Sequence, residues 1–92
     1  MTAWKDLERR VAAELAGRRN HVGEPGSDII GVPFSVECKR TVRYQLKGAW
    51  LEQARRQSRQ EGKPWLLVIA EHRDRNPIVV MDFKTLATWV RG

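Results

Sequence analysis

Apolar residues recur along this chain with two different periods, and the switches between them mark out its elements. Trp4, Leu7, Val11 and Leu15 repeat every three or four residues, which predicts a helix from Thr2 to about Gly17, with the glycine as its stop. The following "RRNHVGEPGS" (18–27) is rich in Gly, Pro and polar residues and reads as a loop. Asp28 to Ile30 and Phe34 to Arg40 then read as two strands around "GVP". Leu46 to Glu61 reads as a second helix closed by Gly62. "WLLVIAEH" (65–72) and "PIVVMDF" (77–83) are apolar and β-branched, so both read as core strands, separated by the turn-like "RDRN". Lys84 to Val90 reads as a last short helix. The expected order is α-β-β-α-β-β-α, an α/β (α+β) arrangement with helices packed on a mixed sheet.

One strand breaks the rule that core positions are apolar. In "FSVECKR", alternation puts Phe34, Val36 and Cys38 on one face and Ser35, Glu37 and Lys39 on the other. Glu37 and Lys39 therefore stand side by side, about 7 Å apart along the strand. Asp28 lies across the "GVP" turn. If the register pairs it with Ser35 or Glu37, all three charges converge; a one-residue slip sends Asp28 to the opposite face. Pro33 cannot donate to a ladder and belongs to the turn or the strand start.

The first helix brings a fourth group. Glu8 falls within the arc of Trp4, Leu7, Val11, Ala12 and Leu15, whereas Asp6, Arg9 and Arg10 project away from it. An acid on an apolar stripe needs compensation, because an unpaired buried carboxylate is costly. Two sources are open: a divalent cation shared with Asp28 and Glu37, or an ion pair with an inward Arg or Lys.

Composition narrows the partners. The 92 residues suit one domain with a modest core, spanning 1–92. Seventeen Lys and Arg against eleven Asp and Glu leave a net charge of +6, which favours a polyanion such as nucleic acid. No basic start followed by an apolar run suggests a secretory signal, and no apolar run approaches the roughly 20 residues of a membrane span. A single cysteine excludes an internal disulfide and a cysteine-built zinc site, in keeping with a cytoplasmic location.

Hard oxygen donors without His or Cys suit Mg²⁺, with Mn²⁺ able to substitute. Such a metal polarises a phosphate oxygen and lowers the pKa of bound water, and a neighbouring lysine offsets charge on the phosphorane. Asp28, Glu37 and the Cys38 backbone carbonyl as ligands, with Lys39 as electrostatic partner, make a set suited to phosphodiester hydrolysis.

The stretches "ERRVA", "GSDI" and "FSVECKR" resemble the PD-(D/E)XK nuclease superfamily, most closely its small Holliday-junction-resolvase-like and phage-type endonuclease branch. The likeness spans about Trp4 to Phe83, and its specificity rests on those three short motifs. It implies a restriction-endonuclease-like fold and magnesium-dependent hydrolysis of DNA. It also implies metal binding by Asp28 and Glu37, catalytic assistance from Lys39, and Glu8 as a further ligand. The chain departs from the family pattern at Ser27, where a proline usually precedes the first acid; Pro25 lies three residues upstream of Asp28. In that family a polar residue of the second helix reaches toward the site, which makes Gln53 and Gln57 candidates for placing substrate or water. Arg40, Arg43 and His21 are candidates for contacting the substrate.

The other groups have ordinary roles. Cys38 points away from Glu37 as a small buried residue, and His72 is structural or exposed at a hairpin mouth. Trp4, Trp50 and Trp65 fill cores, which leaves Trp89 for a dimer contact. The expectation is thus a homodimeric, structure-specific DNA endonuclease in the cytoplasm (the host's, if phage-encoded). The rival is a non-catalytic basic module that binds nucleic acid on the same fold.

Overall fold

The computed structural model describes residues 3–20, 25–72 and 76–92, with side chains from residue 5 onward. It is a five-stranded mixed sheet with three helices. The helices are α1 (Ala3–Glu14), α2 (Gly48–Glu61) and α3 (Phe83–Arg91). The strands are β1 (Arg18–Arg19), β2 (Ile29–Ile30), β3 (Ser35–Thr41), β4 (Trp65–Glu71) and β5 (Ile78–Val80), lying side by side in chain order. Only β3 and β4 run parallel, joined by α2; the other three pairings are antiparallel.

The expected order is therefore extended by one strand. β1 falls in a stretch expected to be loop, and it exists because Arg18 and Arg19 find partners in Ile30 and Ile29. Two residues carry no periodicity, so only the tertiary partner defines the strand. His21 and most of the "RDRN" turn lie outside the described residues.

The sheet separates two apolar layers. On one face Leu7, Val11 and Ala12 of α1 pack on Ile29, Val32, Val36, Cys38, Leu66 and Val68. On the other, Ala54 of α2 packs on Trp65, Leu67 and Ile69, with Trp50 and Leu51 half-buried around it. β4 lies between β3 and β5 and is buried from Trp65 to Ala70, which explains its unbroken apolar run. β5 differs from its expected place in the core: it is an edge strand, and Ile78 and Val79 are exposed. Leu46 is likewise half exposed and precedes α2 rather than joining its inner face.

The C-terminal ends of α1 and α2 follow capping chemistry. Gly62 closes α2 in the left-handed region (φ 66°), donating its N–H to Ser58 C=O. At the end of α1 the left-handed residue is Ala16 (φ 56°), not the glycine. Gly17 N–H reaches Ala12 C=O at 2.9 Å and Ala16 N–H reaches Ala13 C=O at 3.3 Å, the double closure of a Schellman motif. Gly17 serves packing instead: a Cβ there would stand 2.7 Å from Val32 Cγ1 and 2.8 Å from Ile30 O. No helix among the described residues is long and apolar enough to cross a membrane.

Candidate active site

The site begins with a strand that loses its neighbour. Along β3 the odd-numbered residues turn their backbone groups toward β4: Ser35 N–H donates to Pro64 C=O, and Thr41 C=O accepts from His72 N–H. The even-numbered ones turn toward β2, since Val36 C=O accepts the Asp28 N–H at 2.9 Å. β2 is only two residues long and registers with β3 at Ile29 opposite Val36. Past that point the Cys38 N–H has no ladder carbonyl and takes Asp28 Oδ2 at 2.8 Å. A side-chain carboxylate thus replaces a main-chain acceptor. An extended residue directs its N–H and C=O to the same edge, so the Cys38 carbonyl faces this opening too.

The register left open by the sequence is thereby fixed. Asp28 sits against the Glu37 end of β3 and lines one open pocket of about 640 Å³ together with Glu8, Glu37, Lys39, Arg40 and Gln53. Alternation along β3 is as expected: Val36 and Cys38 join the α1 layer, while Glu37 and Lys39 meet Gln53 of α2. Gln53 connects the two charges, accepting from Lys39 Nζ at 2.9 Å and donating to Glu37 Oε2 at 3.5 Å.

Electrostatics there are strained. Glu37 is 3 % exposed. Burial, then the charge and hydrogen bond of Asp28, push its carboxyl up to about 8, with Lys39 pulling the other way. Glu8 is also raised by burial, against the opposing hydrogen bond of Arg19. Burial, with the charges of Asp28, Glu8 and Glu37, pushes the Cys38 thiol up, so this cysteine stays protonated and inert.

Of the two roles open to Glu8, the structure displays the ion pair: Arg19 Nε donates to Glu8 Oε1 at 2.7 Å. Arg19 lies on the unexpected strand β1, which is why the sequence offered no named partner. Among the described residues, no three His, Cys, Asp or Glu side chains are gathered so as to hold a metal unaided. Magnesium does not need three: it takes one or two carboxylates and keeps waters or substrate phosphates for the rest. Asp28 and Glu37, two acids crowded in one pocket, fit that demand, with the Cys38 carbonyl beside them.

Other expected residues divide. Arg40 lines the pocket, half-buried, with its guanidinium donating to His72 C=O at 3.3 Å. Arg43 is exposed on the turn after β3 and outside the pocket lining, its carbonyl held by the Thr41 hydroxyl. Gln57 does not reach the pocket; its Nε2 donates to Gly26 C=O at 3.4 Å. His72 is exposed, as expected, yet it also lines the pocket with Thr41 and Val42. The parallel register pairing Thr41 with Glu71 puts it there, and that register is not readable from spacing. Trp89 is engaged within the chain, its ring stacking on Phe34 at 5.1 Å.

Compared with protein-family models, curated proteins and solved structures, the chain matches none.

Proposed function

We propose that the protein is a divalent-metal-dependent DNA endonuclease, acting by hydrolysis of phosphodiester bonds. The observation that carries this reading is the meeting of Asp28, Glu37 and Lys39 in one open pocket where β3 runs past its neighbour. Two carboxyls and an ammonium so placed resemble the acid and Glu-x-Lys elements of PD-(D/E)XK nucleases.

Asp28 and Glu37, with the Cys38 carbonyl, would hold Mg²⁺ or Mn²⁺, and Glu8 stands at the pocket wall in its pair with Arg19. When bound, such an ion would supply charge stabilisation at the phosphate and a water of lowered pKa. Lys39 orients the attacking water and offsets charge on the phosphorane, and Gln53 fixes its ammonium by accepting one of its hydrogens. Arg40 at the pocket rim meets a flanking phosphate, with Arg43 further out along the DNA. The net charge of +6 suits that partner. A surface this small favours recognition of DNA shape or branching over base identity. A homodimer would present two such sites, and a cytoplasmic enzyme fits the cysteine content.

The test incubates the pure protein with supercoiled plasmid, linear duplex, single strand and a four-way junction, in Mg²⁺, Mn²⁺ or EDTA. The expected result is metal-dependent cleavage, lost by at least about a hundredfold in Glu37→Ala. DNA binding without cleavage in either metal would overturn the reading in favour of a binding module.

A further inference from the structure

Glu61 and the turn at 25–27 have no part in the chemistry above, yet they are bound closely together. Gln53, Gln57 and Glu61 recur every fourth residue and form one stripe along α2. Its first member reaches the pocket; the other two reach the turn that precedes Asp28. Glu61 Oε2 accepts the Ser27 N–H at 3.0 Å, and Gln57 Nε2 donates to Gly26 C=O. From the other side Asn20 Nδ2 donates to Pro25 C=O at 3.2 Å and Ser27 C=O at 3.0 Å. The Ser27 hydroxyl, buried, donates to Ile29 C=O.

Gly26 makes this closeness possible. Its φ of +108° suits glycine, and a Cβ there would meet Glu61 Oε2 at 3.0 Å. Two oxygens of α2 at this point, Glu61 Oε1 and Gln57 Oε1, are turned inward and buried without a hydrogen-bond partner among the described residues. Burial alone would raise the Glu61 carboxyl, but the Ser27 N–H, the Ser35 and Ser27 hydroxyls and Lys63 hold it below its ordinary range. It is therefore an ionised acceptor at neutral pH.

We propose that Glu61, aided by Gln57, is the positioning residue for Asp28: it clamps the 26–27 peptide and so fixes the Asp28 carboxylate on the Cys38 N–H. The role of Asp28 in this statement rests on the nuclease reading; the clamp itself does not. Two readouts separate them. Amide exchange of Cys38 reports the Asp28 carboxylate directly, because that N–H donates to it.

In metal-free, ¹⁵N-labelled protein, Glu61→Ala is expected to speed Cys38 exchange about tenfold or more relative to the Leu67 amide of β4. Glu61→Gln, which keeps an acceptor oxygen for Ser27, stays within about twofold of wild type. Gln57→Ala gives a smaller rise of the same kind and serves if Glu61→Ala does not fold. Cleavage by Glu61→Ala falls about tenfold to a hundredfold in kcat with KM for DNA unchanged. Unchanged Cys38 exchange, or an equal rise at Leu67, would overturn the clamp. A wild type that never cleaves DNA would defeat the nuclease reading, while the Cys38 amide still decides the clamp.

Discussion

Glu37 is the residue on which most of the site's behaviour depends. Its carboxyl is buried beside Asp28, with Lys39 and Glu61 the other charges acting on it, and its pKa rises from an ordinary 4.5 to about 8. Between those values the folded protein keeps a proton that the unfolded chain releases. Stability of the metal-free protein must therefore fall as pH rises through this window, by at most about 1.4 kcal/mol per pH unit from this group. Glu8, raised in the same direction, adds to the slope; Glu61, held low, acts only below the window. Urea unfolding in EDTA from pH 5 to 8 measures this, and Glu37→Gln is expected to remove most of the slope. Sequence alternation alone placed Glu37 and Lys39 together, because a period of two admits no other arrangement on a strand. The position of Asp28 was not legible, since it depends on a carboxylate replacing a ladder carbonyl. Nor was the partner of Glu8, which comes from an arginine in a stretch rich in turn-forming residues.

At the scale of elements, long periodic segments were readable and short ones were not. α1, α2, β3 and β4 lie where periodicity puts them, because each buries a face or both faces in the core. β1 is two residues defined only by pairing, and β5 is apolar in sequence but stands at the sheet edge. The end of α1 is instructive as well: a glycine marks it, but the residue one place earlier takes the left-handed backbone. Ala16 there is strained relative to glycine, and Gly17 has no room for a methyl group. Ala16→Gly should stabilise by about 0.5–1 kcal/mol. Gly17→Ala should destabilise by about 1–3 kcal/mol through its collision with Val32 and Ile30. Thermal unfolding tests the pair, which should move the melting temperature in opposite directions.

For the whole molecule, the unsolved element is α3. It has no buried residue, and Phe83, Leu86 and Val90, at helical spacing, are 80, 45 and 78 % exposed. With the half-exposed Trp89 they present on the order of 500 Å² of apolar surface, the size of the largest patch on a typical monomer, which often has a function. We propose a second copy of this chain as its occupant, on the opposite charges at the two ends of the helix. Asp82 holds the N-cap position of α3 without a side-chain capping bond and Arg91 ends the helix, so two copies packed antiparallel about a two-fold axis would bring each acid near the end that carries the other copy's arginine. The same packing sets each dipole's positive end against the other's negative end. That patch is smaller than the roughly 800 Å² per partner of a standard interface, so the expected dimer is a weak one. Sedimentation at about 50 μM should then give a dimer, which Val90→Asp or Leu86→Asp converts to monomer by placing a charge at its centre. On the proposed nuclease reading, the expected loss falls on concerted cutting of two strands, with single-strand nicking by each monomer retained. A wild type that sediments as a monomer at every accessible concentration would eliminate this face as a self-contact.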